Sequence, residues 1–438
     1  MNVRVRFAPS PTGHVHIGNI RAAIFNWLFA RHEGGRFLLR IEDTDRERST
    51  PEACQTLLEA MAWLGLDYDE PPVYQSSRRE AHLAAAEELL ARGHAYQEDK
   101  GGTGRGECIV FRMPSTPIEF DDLVKGSLKK PASDLHDFVI VRSDGTPVFH
   151  LANVVDDIAM GITHVIRGDD HVENTFRHIA LFRALGAPVP KYAHLPMIVN
   201  RQGRPYSKRD GAAYVGEFRE RGILADALFN YLALLGWSPG DGRELLSRRE
   251  LIELFTLDRV QTSPAQFDMD KLLWMNAQYM RALPPAERLA GHMNDLNAHG
   301  LAPDPDYLLR VLEVMQDRIK LFSQTTEQTI YFFTEDYPVD EDAWARRWRR
   351  PGVPAAVAQL RERWMSTPFQ SAPLEATLKE VAVATGRPPA DLIHAVRLAV
   401  SGTPTGPGLY AMLEVLGRER TLARLDRALA RARAEGYE

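Results

Sequence analysis

The hydrophobic pattern of the N-terminal part switches repeatedly between the period of a strand and that of a helix. Residues 3–7 alternate between apolar and charged positions, which predicts a strand, and apolar residues recur at helical spacing over residues 20–31. Residues 37–41 predict a second strand, and helical patterns follow at residues 51–64 and 77–92. A strand, a helix and a strand at this spacing form a βαβ unit, which predicts a parallel sheet.

The rest of the chain changes character twice. Residues 96–148 hold short alternating segments around a glycine-rich stretch at 101–106, which we interpret as an α+β insertion. The βα pattern returns at residues 149–167 and 191–199, and after about residue 206 the pattern is mainly helical. We therefore expect an α/β Rossmann-type domain with an α+β insertion, followed by mainly α-helical C-terminal domains.

The composition excludes several classes of protein. The 438 residues carry a net charge of −6, with 44% hydrophobic and 26% charged residues, which excludes a wholly basic nucleic-acid coat protein but not a local basic patch. The two cysteines, Cys54 and Cys108, cannot form a disulfide framework or a thiolate zinc cluster by themselves. No run of about 18 apolar residues and no apolar signal segment occurs, so we expect a cytoplasmic protein without a membrane segment.

The first candidate site lies where the first strand gives way to the first helix. Residues 8–19 have the sequence Ala-Pro-Ser-Pro-Thr-Gly-His-Val-His-Ile-Gly-Asn. A helix start offers unpaired N–H groups and a positive dipole end to phosphates, and Gly13 and Gly18 let a bulky ligand approach the backbone. His14 and His16 add donors for phosphate oxygens. Taken alone, the segment fits a Pro/Gly turn before a surface helix equally well.

The second candidate site is a polar, cationic loop between apolar segments. Residues 205–212 have the sequence Pro-Tyr-Ser-Lys-Arg-Asp-Gly-Ala. Lys208 and Arg209 can neutralise the charge of a departing pyrophosphate. Taken alone, a solvated surface loop is the favoured interpretation.

Together, the two segments are far more specific. The first resembles the HIGH signature of class I aminoacyl-tRNA synthetases, and the second resembles their KMSKS loop. Five further segments, in the family's order, look like glutamyl-tRNA synthetase of the bacterial type: residues 7–13 (FAPSPTG), 40–45 (RIEDTD), 150–157 (HLANVVDD), 161–167 (GITHVIR) and 271–276 (KLLWMN). The resemblance covers nearly the whole chain.

The resemblance implies a two-step reaction. Members of the family activate L-glutamate with Mg-ATP to glutamyl-adenylate, release pyrophosphate, and esterify the terminal adenosine of tRNA-Glu. Activation is an in-line displacement, so catalysis rests on positioning and charge stabilisation. The implied domains are residues 1–95 and 149–205 for the two halves of the catalytic domain, 96–148 for a trimmed acceptor-stem insertion, 206–285 for the KMSKS loop and stem-contact domain, and 286–438 for an all-helical anticodon-binding domain.

The resemblance also implies a pocket for glutamate. Glu42 holds its ammonium group, and Arg6 and Arg167 hold its two carboxylates, in an order that the sequence leaves open. The planar fork of arginine suits a carboxylate, and two such forks reject glutamine because a neutral amide would leave a buried guanidinium unpaired. Outside this context, each arginine would be interpreted as a surface ion pair. The other implied glutamate-binding residues are Ala8, Ser10, Phe149 and Asn153.

ATP is expected to bind beside this pocket. By resemblance, His16 contacts the phosphates, Gly18 lets the adenine and ribose approach, and Lys208 binds the β- and γ-phosphates. Asp170 and Arg209 complete the predicted ATP-binding residues. The expected catalytic set consists of His14, His16, Gly18 and Lys208.

The sequence departs from the family pattern in several places. Asn19 replaces the last HIGH histidine, Pro205 replaces the first KMSKS lysine, and Phe149 stands where the family usually carries tyrosine. Gly168-Asp169-Asp170-His171 also replaces the commoner Gly-Glu-Asp-His. None of these changes removes a predicted key residue, so we expect an active enzyme with a raised glutamate KM.

The insertion is the largest departure. Relatives carry a longer segment there, in several cases with a cysteine-rich zinc site, whereas residues 97–110 here contain Cys108 as their single cysteine. Zinc typically needs four ligands, so we predict no zinc and no other resident metal. Cys108 is expected to be a small, half-buried residue.

The helical C-terminal part carries the candidate RNA contacts. Tryptophans at 344, 348 and 364 alternate with arginines, and such guanidinium planes and indoles can stack on unpaired anticodon bases. The arginines of the last helix, from Arg418 to Arg433, are more consistent with a solvated face. We expect a monomer. The predicted tRNA-binding residues are Lys271, Trp274, Arg346, Arg347, Arg361 and Arg363.

Three other interpretations compete with this one. A glutamyl transferase that modifies queuosine in tRNA lacks the C-terminal helical region that this chain has. An RNA-binding paralogue with failed catalysis is motivated by Pro205 and Phe149, and pyrophosphate–ATP exchange with glutamate and tRNA present separates it from an active enzyme. A Rossmann oxidoreductase fails because no G-x-G-x-x-G motif follows the first strand. Whether glutamine tRNA is also charged stays open.

Overall fold

The computed structural model describes residues 2–11, 13–44, 49–99, 106–316 and 318–437. The chain divides into two compact units, Met1–Met275 and Asn276–Glu438. Each unit is described by itself below. In the described part of the chain, no helix is both long and apolar enough to cross a bilayer.

The first unit begins with the predicted parallel strands. β1 (Arg4–Phe7), β2 (Arg36–Ile41) and β3 (Val73–Tyr74) lie side by side in this order and run parallel. Helix α1 (Ile17–His32) connects the first two, which confirms the βαβ unit. The helix begins three residues before its hydrophobic pattern does, because the His16 side chain caps it by accepting a hydrogen bond from the Gly18 amide at 3.1 Å.

A second, four-stranded sheet lies beside the first. Its strand order is β7-β6-β10-β9, where β6 and β7 form a hairpin and β6, β10 and β9 run parallel. The amide of Thr163 donates to the Arg4 carbonyl at 2.9 Å, so β9 starts beside the start of β1. The carboxyl ends of β1, β2, β9 and β10 therefore share one edge. The elements of this layer are β6 (Ile118–Asp122), β7 (Gly126–Lys130), α4 (Phe149–Ala159), β9 (His164–Gly168), α5 (Val172–Ala184) and β10 (Lys191–Leu195).

The predicted insertion is made of strands. β4 (Ala95–Glu98), β5 (Cys108–Phe111) and β8 (Phe138–Val141) form an antiparallel sheet, while the β6–β7 hairpin joins β10 instead. Among residues 106–148, all of which are described, there is no α-helix, so the expected α+β character of the insertion is corrected to β. Short alternating runs with turn residues between them pair as hairpins and leave no apolar face of helical period. The glycine-rich residues 100–105 lie outside the described residues.

The remaining elements of the first unit surround these sheets. Two further helices lie where the helical patterns at residues 51–64 and 77–92 predict them, and mainly helical elements follow the second candidate loop, as predicted. They are α2 (Pro51–Trp63), α3 (Arg79–Ala91), β11 (Ile198–Val199), α6 (Val215–Glu220), α7 (Ala225–Leu234), α8 (Arg248–Leu254), β12 (Ala265–Gln266) and α9 (Met269–Ala282), the last of which ends beyond the unit boundary.

The second unit is helical throughout its described residues, as its pattern predicts. Trp348 and Trp364 are completely buried in its core. Its helices are α10 (Pro285–Ala298), α11 (Pro305–Met315), α12 (Thr325–Phe333), α13 (Glu341–Trp348), α14 (Val353–Trp364), α15 (Ser371–Ala384), α16 (Pro389–Ser401), α17 (Leu409–Leu416) and α18 (Arg418–Ala434).

Candidate active site

A cavity of about 520 Å³ opens at the carboxyl edge of the parallel strands. Arg6 from β1, Glu42 directly after β2 and Arg167 from β9 line it together with His16 at the start of α1. Ligands bind at this edge in open α/β sheets, and the volume is that of a small-molecule site. The structure therefore brings the predicted glutamate and ATP residues of the catalytic domain into one cavity.

A buried network balances two of the arginines near this cavity. Arg6 donates to both oxygens of Asp157, at 3.0 and 3.3 Å, and Arg40 donates to Asp157 at 2.5 Å and to Glu42 at 3.2 Å. Burial disfavours the charge of Asp157, but Arg40 and Arg6 outweigh it and lower the pKa of this carboxyl. The two guanidinium charges are thus matched by the carboxylates of Asp157 and Glu42.

Arg167 differs from these arginines. Its guanidinium is buried and contacts only neutral acceptors: Thr175 Oγ1 at 2.7 Å, His171 O at 3.3 Å, and ring nitrogens of His178 and His194 at 3.4 Å each. Within the described residues, no carboxylate lies within ion-pair distance of it. Burial lowers the pKa of Arg167 to about 10, so it stays charged at neutral pH. A buried cation without a directly paired carboxylate among the described residues is suited to bind an anion.

The opposite polarity is found beside Glu42. Asn153 donates its amide to Glu42 Oε1 at 3.0 Å, while its own carbonyl oxygen is buried and has no hydrogen-bond partner. A carboxylate next to an unused amide oxygen offers acceptors to an ammonium group. The cavity thus presents a cationic wall and an acceptor wall, which is the polarity of a zwitterionic ligand that carries a further carboxylate.

The first candidate motif reaches the cavity through the start of α1. His16, Gly18 and Asn19 line it, and burial lowers the pKa of His16 against a hydrogen bond with the Tyr206 backbone, so its ring is neutral at pH 7. His14 does not line the cavity but packs on the Tyr214 ring, with centroids 5.1 Å apart. Thr12, also in this motif, lies outside the described residues.

The second candidate loop is attached to the first motif by backbone hydrogen bonds. Ile17 donates to Ala213 O at 2.9 Å, and Val215 donates to Val15 O at 3.0 Å. The Nζ of Lys208 lies 5.7 Å above the Tyr214 ring, which also faces the His16 ring at 6.1 Å. Lys208 therefore stands next to the first motif, although it does not itself line the cavity.

Asp210 organises this loop, and two cations of the loop stay exposed. Asp210 accepts from the Ser207 amide at 2.9 Å, from the Ser207 hydroxyl at 3.0 Å and from the Asn200 amide at 2.7 Å. Lys208 and Arg209 are exposed and form no ion pair with any described residue. Such free cations suit the phosphates of a bound nucleotide.

Comparison with known proteins decides the family. The profile of the family described as tRNA synthetases class I (E and Q), catalytic domain, matches residues 2–104 and 97–274, and one described as Anticodon binding domain matches residues 282–429. The glutamate–tRNA ligase of Methylacidiphilum infernorum is 41% identical over 96% of this chain and 97% of its own length. Glutamate–tRNA ligase 1 of Acidithiobacillus ferrooxidans is 42% identical over 98% and 100%, respectively. This chain belongs to the glutamate–tRNA ligase family.

The solved structures agree with this membership. The crystal structure of a glutamate tRNA ligase from Elizabethkingia meningosepticum, in complex with its amino acid, matches with a TM-score of 0.81 and 29% identity, covering 98% of this chain and 99% of that one. The glutamyl-tRNA synthetase resemblance of the sequence motifs is therefore confirmed, and with it the Rossmann-type fold of the catalytic part. The individual residue roles stay predictions.

The other predicted site residues of the catalytic part also line the cavity. Phe149 contributes its ring, Asp170 an exposed carboxylate, and Ala8 and Ser10 the segment after β1. The Phe149 ring faces His171 and His178, with centroids 6.2 and 5.8 Å away. Because Phe149 lacks the hydroxyl of the family's usual tyrosine, this wall of the cavity consists of aromatic and imidazole rings.

The sequence did not identify three charged residues in or next to the cavity. Arg40 and Asp157 stand in the segments RIEDTD and HLANVVDD, so the motifs contained them, but their partnership joins residues far apart in the chain. Arg21 on α1 also lines the cavity, and donates to Leu235 O at 3.1 Å and to Pro196 O. An arginine inside the apolar pattern of a buried helix was the available signal.

The predicted RNA contacts need a correction. Trp344, Trp348 and Trp364 are all buried, so their indoles are not available to stack on bases. Positions 344 and 348 lie one helical turn apart on α13, and their rings stack on each other with centroids 4.9 Å apart. The alternation of tryptophan and arginine is the ordinary pattern of an amphipathic helix whose apolar stripe faces inward.

The predicted RNA-binding arginines fall into two groups. Arg361 forms a bidentate pair with Asp426 at 2.8 Å, and Arg363 pairs with Glu380 at 3.2 Å. Arg346 and Arg347 form no ion pair with any described residue of the second unit. Of the four, the latter two are therefore the free cations.

The remaining tRNA predictions lie on α9. Lys271 is held by Glu244 at 2.6 Å, and Trp274 is half-buried. Both residues belong to the segment that the catalytic-domain profile still covers.

The described residues contain no group of three or more metal-ligating side chains. Cys54 and Cys108 are free and half-buried. Because residues 100–105 of the insertion are not described, the absence of zinc stays a prediction.

Proposed function

We propose that the chain ligates L-glutamate to tRNA-Glu in two steps, with Arg167 holding the side-chain carboxylate of the amino acid. The observation that carries this assignment is the buried guanidinium of Arg167, which meets only neutral acceptors among the described residues. A substrate carboxylate supplies the counter-charge that the protein itself does not. Glutamine, with a neutral amide at the same position, would leave that charge unmatched.

The ammonium group and the α-carboxylate of glutamate are assigned to the groups that remain near Arg167. Its ammonium group fits between Glu42 and the unused carbonyl oxygen of Asn153. Arg6 spends two nitrogens on Asp157, and its Nη1 forms no hydrogen bond with a described residue. Arg6 is therefore free to steer the α-carboxylate with a single donor. A weakly held α-carboxylate keeps its nucleophilicity, whereas the tightly paired side-chain carboxylate does not react.

The first chemical step is an in-line displacement. An oxygen of the α-carboxylate bonds to the α-phosphorus of ATP, the bond to the bridging oxygen breaks, and pyrophosphate leaves. His16, Gly18 and the start of α1 face the phosphates, because they line the cavity at a helix N-terminus. Lys208 and Arg209 are assigned to the leaving pyrophosphate, His14 to the support of this set, and Asp170 to the nucleoside. Mg²⁺ enters with ATP as part of the substrate complex.

The second step and its partners follow from family membership. The terminal adenosine of the tRNA attacks the adenylate through a ribose hydroxyl and releases AMP. We assign Lys271, Trp274, Arg346, Arg347, Arg361 and Arg363 to tRNA contacts. The unpaired Arg346 and Arg347 are the strongest of these, because Arg361 and Arg363 must first leave carboxylate partners. We propose that the enzyme acts as a monomer in the cytoplasm, where its reaction feeds translation.

Charging of tRNA tests the proposed function. Purified protein is mixed with ATP, labelled glutamate and transcripts of the glutamate and glutamine tRNAs in separate reactions. We expect label on tRNA-Glu from the native chain, and from Arg183→Gln as an exposed control, and almost none from Arg167→Gln. No charging and no pyrophosphate–ATP exchange by the native chain would favour the catalytically dead paralogue instead.

A further inference from the structure

Two side chains behind Arg167 never reach the cavity but determine what Arg167 meets. His194 on β10 and Asp122 at the end of β6 have completely buried side chains, and neither lines the cavity. His194 Nδ1 lies 2.6 Å from Asp122 Oδ2. On the other side of the ring, His194 Nε2 lies 3.4 Å from Arg167 Nε and 3.0 Å from Thr175 Oγ1.

The carboxylate settles which nitrogen of His194 carries the proton. An ionised carboxylate only accepts hydrogen bonds, so at 2.6 Å the proton must sit on Nδ1. Burial opposes ionisation of Asp122, but hydrogen bonds from His194 and from the Lys125 and Val124 amides outweigh it and lower its pKa. Burial lowers the pKa of His194, so the ring is neutral. Its Nε2 therefore presents a lone pair that faces both the Thr175 hydroxyl at 3.0 Å and the Nε–H of Arg167 at 3.4 Å.

We propose that Asp122 and His194 are positioning residues for glutamate, in which Asp122 fixes the tautomer of His194 and His194 in turn orients the guanidinium of Arg167. This inference rests on the proposed function, because it takes Arg167 as the residue that binds the substrate carboxylate. It assigns a role in specificity to a residue of the predicted insertion, since Asp122 lies between β5 and β8 in the chain.

The physical reason is that Arg167 has no internal carboxylate to hold it. Its position depends on neutral acceptors, each of which must turn a lone pair toward it. With the opposite tautomer, the Nε2–H of His194 would face the Nε–H of Arg167, and two donors repel each other. Arg167 would then lose an acceptor and shift from the geometry that a carboxylate needs.

Asp122→Asn is a selective way to reverse the tautomer. Asp122 Oδ1 accepts from the amides of Val124, Lys125 and His194 at 2.9, 2.8 and 3.2 Å. Three donors keep the oxygen of an asparagine in the same place, so its NH₂ group must point at His194 Nδ1. That group donates, which forces the proton of His194 onto Nε2.

The test measures glutamate binding by calorimetry on the full chain, together with pyrophosphate–ATP exchange in the presence of tRNA. We expect Asp122→Asn to raise the Kd and KM of glutamate about tenfold, the size of one lost hydrogen bond to a charged group, with kcat changed less than about twofold. Nitrogen-15 spectra of the imidazoles should show His194 protonated on Nδ1 in the native chain and on Nε2 in Asp122→Asn. A purely structural role would leave the Kd and KM of glutamate unchanged even where the tautomer changes.

Two control variants separate the tautomer from simple loss of charge. His194→Gln keeps a side-chain amide near Arg167 but has no tautomer, so adding Asp122→Asn to it should raise the glutamate KM less than about twofold. Asp156→Asn removes a different buried aspartate, one that contacts His82 at 2.8 Å and does not line the cavity. This variant should leave the glutamate KM unchanged.

The outcomes distinguish this inference from the proposed function. If Arg167→Gln abolishes glutamate binding while Asp122→Asn leaves the glutamate Kd unchanged, with or without a change of tautomer, the inference is wrong and the proposed function stands. An undiminished effect of Asp122→Asn in the His194→Gln background would also overturn it. If Arg167→Gln leaves glutamate binding intact, the proposed role of Arg167 fails first.

Discussion

Both units of this chain contain buried arginines, and two of these, Arg424 and Arg167, have opposite kinds of hydrogen-bond partner. In the second unit, the guanidinium of Arg424 donates to Glu335 at 2.8 and 3.0 Å, to Thr334 O at 3.0 Å and to Val400 O at 2.5 Å, and it stacks on Tyr337. In the first unit, Arg167 meets no carboxylate among the described residues. Arg424 has a carboxylate partner inside its own unit and holds the fold together, whereas Arg167 lines a cavity without a carboxylate partner among the described residues and is positioned to bind a ligand.

Replacing Arg167 by methionine should produce the largest effect on function. We expect Arg167→Met to raise the glutamate KM roughly a thousandfold, the scale of losing a buried charge pair with a ligand. Its free energy of unfolding should stay the same or rise, because an unbalanced buried charge is removed. Pyrophosphate–ATP exchange kinetics measure the glutamate KM, and urea unfolding of the same preparation measures the free energy of unfolding. A marked loss of stability together with unchanged KM would reverse the comparison.

The same replacement at Arg424 should act on stability alone. Removing this side chain leaves the buried carbonyl of Val400 and the half-buried carbonyl of Thr334 without this donor, and deprives Glu335 of its strongest partner. We therefore expect Arg424→Met to lower the free energy of unfolding by about 3 kcal/mol. The glutamate KM should not change. Arg433→Met on the same helix is the control, since Arg433 is exposed and forms no ion pair with a described residue. Equal stability of the two variants would contradict the structural role of Arg424.

The exposed loop cations should affect rate and not glutamate affinity. We expect Lys208→Ala to slow adenylate formation about a hundredfold, through lost stabilisation of the departing pyrophosphate, while the glutamate KM changes little. Lys191→Ala, at the opposite end of β10, provides a control for the loss of one surface lysine. Rapid-quench measurement of glutamyl-adenylate gives the rate of adenylate formation separately from the later transfer to tRNA. Equal losses in rate and glutamate affinity would mean that the loop assignment is wrong.

A smaller effect is expected where the cavity wall lacks a hydroxyl. Phe149→Tyr should lower the glutamate KM about threefold by restoring one neutral hydrogen bond. Phe138→Tyr adds the same hydroxyl to a ring that does not line the cavity, and should have no effect. Steady-state pyrophosphate–ATP exchange at several glutamate concentrations measures the KM of each variant. An unchanged KM in Phe149→Tyr would show that the site already replaces this hydrogen bond.

The smallest effect concerns pH and the partners of Arg424. The hydrogen bond from Arg424, opposed by burial and joined by Arg420, lowers the pKa of Glu335 from 4.5 to about 2. A lowered pKa in the folded state stabilises the fold above the ordinary pKa, and this contribution is lost as pH falls from 4.5 toward about 2. Because the Glu335 side chain is 48% exposed, solvent weakens the effect. Urea unfolding of the native chain and of Glu335→Gln should converge as the pH falls in this window, and parallel curves would argue against the prediction.

The sequence predicted the features that depend on local periodicity. The strands that end at Phe7 and Ile41, the helix between them and the helical second unit all follow from spacing within single segments. Arg6 and Glu42 could be placed at one edge because the carboxyl ends of parallel strands coincide. The tryptophans of α13 and α14 were misjudged because inward and outward stripes of a helix have the same period.

What the sequence could not supply is the pairing of distant charges. Arg6 and Arg167 are equivalent as residues in a motif, and only the fold brings Asp157 to one of them. The same holds for Asp122, which reaches His194 because β6 joins the parallel layer next to β10. Such partnerships depend on topology, so no spacing rule reports them, and they are what separates a structural arginine from a ligand-binding one.

A crystal structure with a non-hydrolysable glutamyl-adenylate analogue tests the central claim most directly. The account predicts that the side-chain carboxylate of the analogue accepts hydrogen bonds from Arg167, with the ammonium group between Glu42 and Asn153. A structure in which that carboxylate lies against other residues, and Arg167 keeps only its neutral acceptors, would contradict it.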